Sequence, residues 1–239
     1  MSKQDGYRRI LLKLSGEQLA GKSKSGIDPE FVGWLAEEIK KVVDVGAQVV
    51  IVVGGGNFVR GASFSGHGLE RATADYMGML ATIINGLALM DMLESKSQPT
   101  RLQTNLTLPQ VAEPFIRRRA IRHMEKNRVI IIAGGLGKPF ITTDTAAVSV
   151  ALELGCETVM KATKVNGVFT KDPTEHDDAE FLENLSYEEA IKNPDIQIMD
   201  KAALGLAMEH KMPIIVFDLL KEDNLVKAAQ GGNIGSRIG

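Results

Sequence analysis

Short, continuous apolar runs alternate along this chain with segments whose apolar positions recur every three to four residues. RILLKL at Arg9–Leu14, QVVIVV at Gln48–Val53, RVIIIA at Arg128–Ala133 and PIIVF at Pro213–Phe217 are runs bounded by turn residues, the pattern of strands buried on both faces. Thr158–Lys161 continues the series and Arg101–Thr104 reads as a shorter member. Between these runs, Phe31, Leu35, Ile39, Val42 and Val43 have helical spacing behind Asp28-Pro29, where Asp suits the cap and Pro the first turn. A longer helical pattern, about Glu70 to Glu94, carries Met77, Leu80, Ile83, Ile84, Leu87 and Met90, a stripe predicted to pack in the core because methionine fills irregular gaps. Further helices are predicted at Glu113–Glu125, Asp144–Leu154, Ser186–Lys192, Asp200–His210 and near Asp223–Gln230, the last running into a glycine-rich tail. Thr163–Pro173 is turn-rich, with Asn166-Gly167 as a hairpin signal. Such alternation predicts an α/β fold with a mainly parallel central sheet covered by helices on both faces. In sheets of this kind ligands bind beyond the carboxyl ends of the strands. Three runs here end in Ser15-Gly16, in Gly54-Gly55-Gly56-Asn57 and in Gly134-Gly135-Leu136-Gly137.

Composition narrows the class of partner. The 239 residues suit one domain, with 44% apolar residues for a sizeable core. A net charge of −2 predicts neither nucleic acid nor an anionic membrane as partner. Arg8-Arg9 and Arg117-Arg118-Arg119 are local clusters, expected on a solvated or subunit-contact face. The single cysteine, Cys156, allows no disulfide within the chain and is expected as a buried, inert thiol in a reducing compartment. His67, His123, His176 and His210 stand in unrelated contexts, so no poised Cys–His pair is expected. The first residues, MSKQDGYRR, lack the apolar stretch of a signal peptide, and no apolar run approaches the ~20 residues that span a bilayer. A cytoplasmic location is the expectation.

One motif misleads. Gly16–Ser23, GEQLAGKS, matches the phosphate-loop pattern GxxxxGK[ST] and follows a strand. That motif needs a helix to begin at its Gly-Lys-Ser, whereas Gly26 and the capping signal at Asp28 place the helix later. The other glycine-rich ends carry better chemistry. Phosphoryl transfer asks for positioning and for neutralisation of negative charge. Lys13 and Lys161 both end strands, Gly54–Gly56 lets backbone approach an anion with Arg60 close behind, and Thr142, Thr143 and Asp144 open a helix. Lys13 is compatible with either the ligand edge or a core flank, and Thr143 and Asp144 with simple capping. Together, two strand-end lysines and Asp144 form a candidate phosphoryl clamp.

KLSGE (Lys13–Glu17), GGGNFVRG (Gly54–Gly61), DYMGMLATIINGLA (Asp75–Ala88), PFITTDTAA (Pro139–Ala147) and KATKVNGVFTKDP (Lys161–Pro173) occur in one order over nearly the whole chain. In these segments the sequence resembles the bacterial uridylate kinases of the amino-acid-kinase family. The resemblance implies a three-layer αβα sandwich whose N-terminal part, about residues 1–155, binds the phosphoryl acceptor and whose C-terminal part, about 156–239, binds ATP. By matching position it implies that Lys13, Leu14, Ser15, Gly16, Gly56 and Arg60 meet ATP phosphates, and that Thr163, Phe169 and Asp172 frame the adenine nucleotide. It implies UMP contacts from Gly55, from Asp75 through the ribose hydroxyls, and from Leu136, Gly137, Lys138, Pro139, Phe140, Ile141, Thr142 and Thr143. Lys13, Arg60, Asp144 and Lys161 would be catalytic, Asp144 by orienting the lysines. Mg2+ would come with the ATP phosphates rather than on protein ligands. The same resemblance implies a homohexamer, GTP or UTP as effectors, and a place in pyrimidine nucleotide biosynthesis. This chain departs from the family pattern at Leu136 and Lys138, where threonine and asparagine are usual, at Asn166, where aspartate is common, and at GKSKSG (Gly21–Gly26), where some relatives contact GTP. A carboxylate or carbamate kinase on the same fold and a non-catalytic nucleotide sensor are the alternatives.

Overall fold

The computed structural model describes residues 6–23, 25–59, 68–196 and 198–239. In chain order the elements are β1 (Arg9–Leu14), α1 (Gly16–Leu19), α2 (Pro29–Asp44), β2 (Gln48–Val53), α3 (Arg71–Ser95), β3 (Thr100–Thr104), β4 (Glu113–Pro114), α4 (Arg117–Met124), β5 (Val129–Ala133) and α5 (Thr143–Leu154). They continue as β6 (Thr158–Thr163), β7 (Val168–Phe169), β8 (Phe181–Leu182), β9 (Asn184–Leu185), α6 (Tyr187–Lys192), α7 (Lys201–His210), β10 (Ile214–Asp218), α8 (Asn224–Ala229) and β11 (Ser236–Ile238). One sheet runs in the order β4-β3-β5-β2-β1-β6-β10-β11-β9, and β7 pairs with β8 separately. Every neighbour in the large sheet is parallel except β10 with β11.

The period of two along each strand builds two cores. Ile10, Leu12 and Leu14 of β1, with Val49, Ile51 and Val53 of β2, face the layer formed by α2, α3 and α8. Leu11, Val50, Val52 and Val159 face the opposite layer, formed by α4, α5, α6 and α7. The expected three-layer sandwich is therefore present. Alternation also settles the direction of Lys13 and Lys161. Each lies two residues beyond a side chain of the α5-side core, Leu11 and Val159, so both lysines emerge on the α5 side at the carboxyl ends of their strands. The chain builds the sheet outward from one side of β1 and then returns to add β6 on the other. That reversal is where an open α/β sheet leaves its crevice.

Several expected elements take a different form. The stripe proposed for α3 is only partly core. Leu80 is 47% and Ile84 48% exposed, as is Tyr76 at 45%, while Ala74, Met79, Ala81, Ile83, Leu89 and Leu93 are buried. Small residues set that face: a Cβ on Gly86 would lie 2.6 Å from Leu102, so the helix sits against the sheet where it is slimmest. By length and composition α3 could cross a membrane, with a mean hydropathy of 1.4 over 18 residues. Here it packs against α2, β3 and β5. The helix predicted from Glu113 begins at Arg117, because Glu113-Pro114 pairs with the end of β3 as an edge strand, a position that tolerates proline. Asn166-Gly167 is not a hairpin turn; β7 and β8 pair antiparallel across residues 170–180, and Gly167 packs against Ser236. The glycine-rich tail contains β11, reached through Gly235 at φ +68. Cys156 is buried, and burial pushes its thiol pKa up to about 12.

Candidate active site

Lys13 and Lys161 are direct partners in the parallel register of β1 and β6. Two like charges side by side at strand ends need an anion between them, and the first turn of α5 supplies it. Asp144 Oδ1 lies 2.7 Å from Lys13 Nζ, and Asp144 Oδ2 accepts from Lys161 Nζ at 3.0 Å. The three side chains are 9%, 14% and 16% exposed for Lys13, Asp144 and Lys161, so water screens them little. Lys161 Nζ donates also to the carbonyl of Ile198. Burial alone would raise the Asp144 pKa, but Lys13 and then Lys161 outweigh it and hold the carboxyl below its ordinary value. Burial pushes the Lys161 ammonium the other way from Asp144, and with Lys13 beside it the result is a lowered pKa. The triad thus holds two positive charges on one negative charge.

Helix caps place this triad. Thr142 caps α5, its Oγ1 accepting from the amides of Asp144 and Thr145. Asp200 caps α7 by accepting from the amides of Ala202 and Ala203, and it also takes the hydroxyls of Thr142 and Thr145. Two helix N-termini are thereby tied together beside the lysines. From the sequence Asp200 reads only as a helix start. Its link to Thr145 joins residues 55 apart and left no local signal.

The glycine ends of β1 and β2 meet one another. A Cβ on Gly16 would stand 2.6 Å from Gly56 N and 2.7 Å from Gly54 O, and one on Gly55 would stand 2.5 Å from Gly78 O. Glycine is required at both positions because backbone contacts backbone. Asn57 and Asn85, both buried, exchange side-chain hydrogen bonds of 2.9 and 2.7 Å, and Asn85 Nδ2 also donates to Gly54 O at 2.8 Å. This pair fixes the Gly54–Asn57 turn to α3. Neither asparagine carries a local sequence signal for this role. Leu14 is fully buried, so only its backbone is available at the site, and its carbonyl accepts from Gly54 N. Ser15 caps α1, and its amide donates to Gln18 Oε1. The phosphate-loop match fails as expected: α1 stops at Leu19, Gly21–Ser23 is a turn, and the next helix starts at Pro29 behind Asp28.

Two cavities carry many of the expected residues, and a third, about 360 Å3, is lined by Asp144, Lys161 and Asp200 among others. The first, about 380 Å3, is lined by Gly55, Gly56, Asp75, Gly135, Lys138, Ile141, Thr142 and Thr143, together with Arg71, Val59, Ala74, Gly78, Met79 and Thr82. The second, about 520 Å3, is lined by Lys161, Thr163, Phe169 and Asp172, among others on β6, β10 and the 165–175 segment. Lys13, Leu14, Ser15, Gly16 and Asp144 line neither of these two spaces. Four from the 136–143 segment do not line the first. Leu136 packs into the α5-side core, Gly137 sits against Asn105, and Pro139 and Phe140 stand outside the lining. Phe140 reaches the site through its backbone amide, which donates to Asp75 Oδ2 at 2.8 Å. Asp75 Oδ1 in turn accepts from Arg71 Nε at 2.9 Å. Asp172 is turned onto Thr174, whose amide and hydroxyl lower its pKa. Arg60 lies outside the described residues.

The profile of the Amino acid kinase family matches residues 8–218. Among solved structures, a UMP kinase from Bacillus anthracis superposes with a TM-score of 0.94 at 37% identity, covering 98% of this chain and 96% of that one. A UMP kinase from Ureaplasma parvum gives 0.90 at 31% identity, over the full length of both chains. A uridylate kinase from Archaeoglobus fulgidus gives 0.75 at 24% identity, a likeness of fold, over 96% of this chain and 99% of that one. From the match over 8–218, and from 37% identity across 98% of its length, the chain belongs to the amino acid kinase family.

Proposed function

We infer that this chain is an ATP-dependent kinase that transfers the γ-phosphoryl group of ATP to UMP, giving UDP and ADP. The observation that carries the reading is the buried Lys13–Asp144–Lys161 triad, whose Lys161 lines the second cavity and whose Asp144 follows Thr143 of the first, within a chain 37% identical to a UMP kinase. The first cavity would take UMP and the second ATP. On this reading an N-terminal part, about residues 1–155, binds the acceptor and a C-terminal part, about 156–239, binds ATP. A phosphate monoester is largely dianionic near neutral pH, with a second pKa near ~6, so UMP can attack without a general base. What the protein must supply is alignment and positive charge on the transferring group. Lys13 and Lys161 supply it, with Arg60 expected to join them, and Asp144 keeps the two ammonium groups at one point. Ser15, Gly16 and Gly56 offer close backbone approach to the ATP phosphates, and Thr163, Phe169 and Asp172 frame the nucleoside.

Mg2+ is the expected metal. Both Asp144 oxygens are engaged by lysines, so the protein donors here suit a phosphate anion rather than a bare cation. The metal would bind through ATP oxygens and offset their charge. A cytoplasmic site in pyrimidine nucleotide synthesis follows from this reading, with GTP or UTP as candidate effectors. The exposed apolar stripe Tyr76, Leu80 and Ile84 on α3 supports contact with a second copy of the chain, and the homohexamer is what the family resemblance implies.

The deciding experiment is ADP release from Mg-ATP across UMP, CMP, glutamate, aspartate and carbamate. UMP should be preferred, and Lys13→Ala should lower kcat by ~10²–10³-fold, the scale of one lost charge-stabilising donor, with UMP affinity little changed. Turnover on a carboxylate or carbamate, or nucleotide binding without turnover, would replace this reading with the corresponding alternative.

A further inference from the structure

Arg71 occupies a position that helix energetics do not explain. It is the first residue of α3, where the helix dipole disfavours a cation, and that first turn holds no acidic residue. Its partner Asp75 lies four residues later, so the pair has the cation first, the less favourable order for supporting a helix. The side chain is 61% exposed, and an exposed ion pair contributes little to stability. The contacts that remain lead to the acceptor cavity. Arg71 and Asp75 both line it. Arg71 Nε donates to Asp75 Oδ1 at 2.9 Å, and the guanidinium lies 5.9 Å from the centre of the Phe140 ring. The Phe140 amide donates to the other Asp75 oxygen at 2.8 Å. Phe140 is 70% exposed and sits at φ +67, a strained conformation for an aromatic residue that something must hold.

We propose that Arg71 is a positioning residue of the acceptor site: it fixes the Asp75 carboxylate and clamps Phe140, so that Asp75 presents its free lone pairs to the ribose hydroxyls. A carboxylate offers about four lone-pair sites, and the two bonds seen here leave each oxygen one to spend on a hydroxyl. Held from both sides, the carboxylate reads a cis-diol; released, it would rotate and read it poorly. The inference rests on the first cavity being the nucleotide acceptor site. Its test is steady-state kinetics on UMP, 2′-deoxy-UMP and 3′-deoxy-UMP for the wild type, Arg71→Ala and Arg71→Lys. In Arg71→Ala, KM for UMP should rise about tenfold while kcat and KM for ATP stay within about twofold. The preference for UMP over the deoxy analogues should shrink in step, a change that a merely structural residue would not cause. Arg71→Lys keeps the ion pair but loses the planar stack, and should recover part of both effects. An unchanged KM for UMP, or an unchanged ribose preference in Arg71→Ala, overturns the proposal. If the wild type itself fails to phosphorylate UMP, the acceptor assignment fails instead, and the two failures are thereby distinguished.

Discussion

Replacing Asp144 by Asn removes the anion from between two lysines while keeping the shape of the side chain. In the wild type, Asp144 lies 2.7 Å from Lys13 Nζ and 3.0 Å from Lys161 Nζ, and all three side chains are at most 16% exposed. Removing one partner of a buried ion pair costs about 3–5 kcal/mol, because an uncompensated charge is left behind. Lys161 can respond by losing its proton, since its pKa is already lowered, and this relief places the expected loss at the lower end, about 3 kcal/mol. At ~2–4 °C per kcal/mol for a chain of this size, the melting temperature should fall by about 6–12 °C. The assay is calorimetry at neutral pH, with and without saturating Mg-ATP. On the proposed reading, nucleotide phosphates would provide the lysines with the missing negative charge. ATP should therefore raise the melting temperature of Asp144→Asn by more than it raises that of the wild type. A variant that melts within 2 °C of the wild type, or gains no more from ATP, would show that Asp144 does not hold the lysines. The carboxyl pKa is depressed in the fold, so its contribution is complete above the ordinary aspartate range and is lost as pH falls through the lower folded value.

Two further outcomes follow from the same geometry. Burial and Lys13 lower the Lys161 pKa, so kcat/KM for ATP should decline on the alkaline side below the ordinary lysine value, and Lys161→Arg should move that decline upward because guanidinium keeps its proton; an unmoved alkaline limb assigns it to another group. Gly55→Ala forces a methyl group to 2.5 Å from the Gly78 carbonyl and should cost about 1–3 kcal/mol with a raised KM for UMP, whereas Gly205→Ala, in α7 with nothing within 4 Å, should gain about 0.5–1 kcal/mol without a kinetic effect; equal melting shifts in the two variants would refute the claim of close backbone approach at Gly55.

The central strands, the capped helices and the three glycine-rich strand ends were legible because each rests on a local rule. Asp28 caps α2 and Ser186 caps α6, as their residue types suggest. What escaped the sequence depends on distant partners. β11 has only three residues, lies in a polar tail and exists because β10 presents an open edge. Only part of the α3 stripe, Ile83, Leu87 and Met90, meets the core, because apolar residues lie on several sides of that helix and the narrow approach at Gly86 selects the side that faces the sheet.

The phosphate-loop look-alike shows the same division at the level of function. GEQLAGKS has the right letters, but a phosphate site is made by where amides and charges converge. That convergence depends on β1–β6 register, which sets Lys13 beside Lys161, and on Thr142, which caps α5 so that Asp144 in its first turn meets both. The Thr142 cap is local and legible, but the β1–β6 register is contained in no eight-residue window. The lysines are legible as candidates because each lies near the carboxyl end of its strand, although β6 continues two residues past Lys161 to Thr163, but their shared partner follows only from a sheet order that places β6 next to β1 and not at an edge. The chemistry therefore follows from topology. A substitution that shifted β6 by one residue relative to β1 would turn Lys161 to the opposite face of the sheet and abolish the triad without altering one residue of the motif.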